Sequence, residues 1–164
     1  LTRAQAATIL WRYFQPTASK NYNAQAATNR TKMADVESGC FYTEAANWAV
    51  ENGVIHGVEK DGELCFDPDA SIPREQLCVM IANAAHELCG RSIEGASRAK
   101  LEAMPDAQSV PEWAADSIAW CLNEGVVNGM DESGTRYVEP ASIVDRATMA
   151  QIMVNAIDAE ALSR

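Results

Sequence analysis

Ser71-Ile72-Pro73-Arg74-Glu75-Gln76 reads as the opening of a helix, and it is not alone. Related openings stand at Leu1-Thr2-Arg3-Ala4-Gln5 and at Ile143-Val144-Asp145-Arg146-Ala147-Thr148. The arginines are 71 and 72 residues apart, from Arg3 to Arg74 to Arg146. A fixed period means one structural element copied along the chain. Each opening puts an arginine on the first helical turn.

The copies extend outward from these openings. Ala6, Ile9, Leu10, Tyr13 and Phe14 fall at helical spacing and form one apolar face over residues 1–14. Thr2 and Gln5 have capping-box spacing, and Pro16 stops the helix. Leu77, Met80, Ile81, Ala84, Ala85 and Leu88 form the same face after Arg74, and Gly90 ends that helix. Met149, Ile152, Met153, Ala156 and Ile157 form it again after Arg146. A further helix is predicted from about Tyr42 to Asn52, with Gly53 as a left-handed cap. Trp48 and Gly53 recur as Trp120 and Gly125, and Val54-Ile55-His56-Gly57 recurs as Val126-Val127-Asn128-Gly129. Glu59-Lys60-Asp61-Gly62 reads as a turn. Cys65-Phe66-Asp67-Pro68 reads as a short extended piece, with Asp67 biased to extended by the proline after it.

The copied element is therefore helix, glycine cap, turn, short extended segment, helix. Residues 1–15 hold only its second helix, residues 16–32 read as a linker, 33–90 as a full copy, 91–103 as a second linker and 104–164 as another full copy. Two helices cannot bury their apolar faces alone, so the copies are expected to pack together. The predicted fold class is all-α, a pseudo-threefold bundle of tandem helical repeats with short extended loop segments.

Composition limits the function. The chain has 164 residues, 48% of them hydrophobic, with a formal net charge of −10 and a sequence pI of about 4.6. Such a charge repels nucleic acid and anionic lipid. No apolar run is long enough to span a membrane. No signal peptide is visible, and since the chain starts inside a repeat, secretion stays open. The five cysteines form no C-x-x-C pair, which speaks against zinc or thioredoxin-like chemistry. Cys78 and Cys121 align with alanines of other copies and read as small buried hydrophobes. Cys40 and Cys65 fall in loops, where a disulfide between them is open. His56 aligns with Asn128 and His86 with Asp158, so neither histidine belongs to a repeated site. No hydrolase, zinc-protease or phosphate-loop motif occurs, and Asp67 and Asp69 lack the ligand series of a calcium loop. No enzyme, cofactor or metal site is expected.

A helix N-terminus favours anions and mildly disfavours a cation. All three copies nevertheless place an arginine there. An anion would resolve the conflict, since a guanidinium fork suits a carboxylate. A salt bridge to the protein's own Asp or Glu would also resolve it. Trp48 and Trp120 could stack on a sugar ring or plug the joint between two helices. Gly57 and Gly129 could admit a ligand to the backbone or serve a tight turn of positive φ. Asp35 and Asp106 read as structural, capping a helix or bonding a turn.

Asp35-Val36, Trp48, Gly53 to Gly57, Phe66-Asp67-Pro68 and Ile72-Pro73-Arg74-Glu75 follow one another in the order of a known motif. Asp106, Trp120, Gly125 to Gly129, Glu139-Pro140 and Ile143 to Ala147 repeat that order. The chain resembles surface-layer homology (SLH) domains, which occur as three tandem copies. That resemblance implies a three-pronged spindle of helices around a central three-helix bundle. It also implies noncovalent attachment, outside a bacterial cell, to secondary cell wall polysaccharide bearing acidic pyruvyl sugars. Grooves between copies would hold the sugar, with Arg3, Arg74 and Arg146 central and Gln5, Gln76, Trp48, Trp120, Gly57 and Gly129 nearby. The family's threonine is replaced by Pro73 and Asp145, and its glutamate by Gln5, Gln76 and Thr148. Those replacements keep a second function open, a structural or protein-interaction module of the same fold that binds no sugar.

Overall fold

The computed structural model describes residues 1–163. The chain divides into two compact units, Leu1–Ile72 and Pro73–Arg164. The first contains α1 (Arg3–Phe14), α2 (Pro16–Lys20), a 3-10 turn at Ala24–Ala26, α3 (Thr43–Glu51), β1 (Val58–Lys60) and β2 (Glu63–Cys65). The second contains α4 (Arg74–Cys89), α5 (Ala99–Glu102), a 3-10 turn at Ala107–Ser109, α6 (Glu112–Asn123), β3 (Met130–Glu132), β4 (Thr135–Tyr137) and α7 (Arg146–Asp158).

The three copied helix starts are satisfied in three ways. At α1 the Thr2 hydroxyl accepts from the Gln5 amide at 3.3 Å while the Gln5 side chain accepts from the Thr2 amide at 3.2 Å, the reciprocal box its spacing predicts. At α7 the Asp145 carboxylate accepts from the Thr148 amide at 2.7 Å. Pro73 offers no side-chain acceptor at α4. There the first amides go to backbone instead: Arg74 N–H donates to Ser142 O and Glu75 N–H to Pro140 O, both at 2.9 Å. Pro16 does end α1, and it also occupies the first turn of α2, where its missing N–H costs nothing.

The all-α, pseudo-threefold expectation is overturned. The described residues are helix-rich, but each unit also holds an antiparallel hairpin, β1 with β2 and β3 with β4. The cause is local. Asp61 and Gly62 have φ of 52° and 81°, and Ser133 and Gly134 have 54° and 86°. Two successive left-handed residues make the tight two-residue loop whose twist matches a strand pair. Lys60 therefore faces Glu63, and Glu132 faces Thr135.

Asp67 also departs from its extended expectation, with φ of 59°, and Glu139 has 49°. An aspartate upstream hooks each of them. The Asp35 carboxylate accepts from the Phe66 and Asp67 amides at 2.6 and 2.7 Å, and Asp106 accepts from Val138 and Glu139 at 2.8 and 2.7 Å. Two charge-assisted bonds to consecutive amides outweigh the preference the following proline imposes. Asp35 and Asp106 thus have structural roles, and their partner is the segment before the proline.

Small residues let the helices approach. α1 packs on α3 and α4 on α6. Ala6, Ala7, Ala45, Ala46 and Ala49 are fully buried in the first unit, as are Ala84, Ala114 and Ala119 in the second, around Leu77, Ile81 and Ile118. The predicted inward face of α7 holds for Met149, Ile152, Met153 and Ala156, whereas Ile157 stays 44% exposed. The linkers are tied down. Arg30 N–H donates to the buried Asn47 side chain at 2.8 Å, and the Arg30 guanidinium bridges Glu44 and Glu51 on α3. Arg98 bridges Glu112 and Asp116 on α6 in the same manner. All five cysteines are free thiols, so the open pairing of Cys40 with Cys65 is not formed.

Candidate ligand-binding site

The motif arginines have three different surroundings. Arg3 is 6% exposed. Its Nε–H donates to Phe66 O at 2.9 Å, and its guanidinium lies 5.9 Å from the Phe66 ring centroid. Burial pushes its pKa down, and the nearby Asp67 and Asp35 push back. Arg3 N–H and Ala4 N–H donate to Ala70 O and Pro68 O, both at 3.0 Å, so the helix start there has no amide to offer a ligand.

Arg74 is equally buried, at 6% exposure, but its guanidinium is held otherwise. Its NH1 group donates to the thioether of Met130 at 3.3 Å, a weak acceptor. Among the described residues no carboxylate forms an ion pair with it. It borders a cavity of about 220 Å³ lined also by Ser142, Val144, Asp145 and Thr148. A buried cation without a counter-charge is expensive and calls for an anion. Asp145 lines the same cavity, with its carboxylate turned to capping and its pKa held low by the Thr148 amide. Arg146 is exposed.

The other candidate residues separate into groups. Gln5 is committed to its capping box, and Gln76 is half-buried in the first turn of α4. Trp48 is 5% exposed and stacks on Phe14 at 5.8 Å between centroids, and Trp120 is 4% exposed. Gly57 and Gly129 lie against their hairpins. A Cβ on Gly57 would meet Met33 Cε at 2.8 Å and Cys65 O at 3.0 Å, and one on Gly129 would meet Tyr137 O at 3.1 Å.

Two aromatic residues escaped the sequence reading. Phe41 and Trp113 stand 72 residues apart, just before or at the start of α3 and α6, and are 52% and 59% exposed. Phe41 borders a cleft of about 600 Å³ with Asp35, Glu37, Asp67 and Asp69. An exposed ring beside hydrogen-bond acceptors suits a sugar, whose C–H face stacks while its hydroxyls donate. Their common spacing was visible in the sequence. Their exposure was not.

The order helix, hairpin, helix occurs twice, from α3 to α4 and from α6 to α7, with an arginine at the start of α1, α4 and α7. Comparison with known proteins makes this specific. Residues 103–150 match the S-layer homology domain family, and the match runs from the end of α5 through α6 and the second hairpin into α7. Over residues 103–150 the chain thus carries the S-layer homology signature, which places it with bacterial cell-surface sequences. It is 26% identical over 158 residues to the Surface-layer 125 kDa protein of Lysinibacillus sphaericus, covering 96% of this chain and 12% of that one. It is 25% identical over 127 residues to Exoglucanase XynX of Acetivibrio thermocellus, covering 77% of this chain and 11% of the relative. It is 30% identical over 107 residues to Amylopullulanase of Thermoanaerobacterium thermosulfurigenes, covering 65% and 5%. The chain therefore spans about an eighth or less of each of these relatives.

Proposed function

We propose that the chain anchors a larger polypeptide by binding an acidic, pyruvylated secondary cell wall polysaccharide, without catalysis of its own. The observation that carries this reading is Arg74: a buried guanidinium with a thioether for company and a cavity beside it. A pyruvyl carboxylate supplies the missing counter-charge and two acceptors for the fork. The helix-start amides of α4 are already taken by Ser142 O and Pro140 O, so the guanidinium alone carries the recognition. Phe41 and Trp113 offer ring faces to the uncharged part of a sugar. Trp48 and Trp120, being buried, support helix joints in this reading, and Gly57 and Gly129 support the hairpins.

Arg3 favours the second reading for its own unit. Its guanidinium is already occupied by Phe66 O and the Phe66 ring, which suits a structural role. A pull-down on purified cell walls tests the proposal, using walls before and after removal of the pyruvyl groups. The chain should sediment with the first and stay in solution with the second. Equal retention on both would leave the wall anchor standing but remove the acidic sugar as its target.

A further inference from the structure

Cys78 on α4 and Cys121 on α6 meet across the helix joint of the second unit. Both are buried, at 1% and 0% exposure. The Cys121 thiol donates to Cys78 O at 3.7 Å and lies within hydrogen-bonding reach of the Cys78 sulfur. Cysteine is scarce, five residues in 164, yet two of the five share this one contact. The equivalent positions of the first unit, 71 and 72 residues earlier, are Ala7 and Ala49, both fully buried. Packing therefore asks only for a small side chain at each place, and the second unit has a thiol at both. Ala84, Ala114 and Ala119 are fully buried as well, so little bulk holds α4 and α6 apart. A disulfide needs such an approach, because it spans only about 4.4–6.8 Å between Cα atoms.

We propose that Cys78 and Cys121 are a disulfide-forming pair that staples α4 to α6 when the chain folds in the oxidising surroundings of a cell surface. The oxidant is a disulfide, either a small molecule or a thiol–disulfide exchange protein. One cysteine thiolate breaks the S–S bond of the oxidant, releases its first thiol and holds the rest as a mixed disulfide. The second cysteine gives up its proton, attacks the first cysteine's sulfur and releases the second thiol. Two protein thiols become one S–S bond, and the oxidant carries away both electrons and both protons as two thiols. The exchange takes place before the joint closes, since both sulfurs are then out of reach. Once closed, the same burial shields the bond from reductants. The proposal is independent of what the Arg74 cavity holds.

The test is refolding of the full chain from urea in a buffer of oxidised and reduced glutathione, beside a sample kept in dithiothreitol. After an acid quench, free thiols are alkylated under denaturing conditions and the peptides are mapped by mass spectrometry. The expected result in glutathione is a linkage between Cys78 and Cys121, with neither joined to Cys40, Cys65 or Cys89. The linked protein should melt at least about 5 °C above its reduced form, since the bond closes a long loop. C78A and C121A each install the residue that the first unit carries at the same place, so both should fold. Neither variant should show a difference in melting between the two buffers. Alkylation of both Cys78 and Cys121 in the glutathione sample would overturn the proposal. So would a linkage of either to another cysteine, or a linked form that melts no higher than the reduced one.

Discussion

Arg3 and Arg74 occupy the same place in the repeat and are equally buried, yet their energetics differ. Arg3 is satisfied by a carbonyl, a ring and two nearby aspartates. Arg74 is satisfied by none of these. Replacement by methionine, which keeps most of the volume, separates them. Arg3→Met should lose about 1–3 kcal/mol of stability, the cost of orphaning its acceptor. Arg74→Met should leave stability unchanged or raise it, because an unpaired buried charge is removed. Urea unfolding of both variants checks this contrast. Asp145 sets a second contrast. Its charge opposes an anion in the Arg74 cavity, while asparagine caps a helix about as well. Asp145→Asn should therefore tighten polymer binding several-fold, read from a binding isotherm, and leave the melting temperature within a degree or two. Glycines give a third. Gly57 and Gly62 have nearly the same φ, 83° and 81°. A Cβ on Gly62 meets nothing within 4 Å, and one on Gly57 meets Met33 and the Cys65 carbonyl. Gly62→Ala should cost about 1 kcal/mol, the left-handed penalty alone, and Gly57→Ala clearly more, as measured by chemical unfolding.

At the scale of the elements, a single aspartate shapes each hairpin's exit. Asp35→Ala leaves the Phe66 and Asp67 amides without their acceptor and should cost about 3 kcal/mol, with loss of the left-handed turn at Asp67. The linker bridge adds a pH dependence. Hydrogen bonding from Arg30 holds the Glu44 carboxyl below its ordinary value near 4.5. A depressed carboxylate stabilises the fold above its ordinary value, and that contribution is lost as pH falls through the depressed one. Glu44→Gln should flatten the stability profile in the acid range by at most about 1 kcal/mol, since the pair is partly exposed.

The helices were legible because their faces repeat, and the capping box at Thr2 and Gln5 because its spacing is local. The hairpins were not. Three-residue strands carry too little alternation, and Asp61-Gly62 read only as a turn until both residues proved left-handed. Asp35 was read as structural, but its partners lie 31 and 32 residues away, beyond any local signal. The aromatics fail for a different reason. Trp48 with Trp120 and Phe41 with Trp113 share one spacing, and periodicity alone cannot say which pair a fold buries.

On the scale of the whole molecule, an acidic chain can hold the proposed acidic polymer only where cations outweigh its own carboxylates. Several cations are spent on internal carboxylates, as at Arg30, Lys60 and Arg98. Arg74 is the buried one without such a partner among the described residues. The relatives in which similar sequence occurs are many times longer than this chain, which suits a module that holds something else in place. The most direct measurement is a calorimetric titration of the chain with a pyruvylated aminosugar, run on the unaltered protein and on Arg74→Ala. The account predicts saturable binding by the first and at least about a tenfold loss in the second, one buried charge-assisted contact removed. Binding of equal strength by both would contradict it.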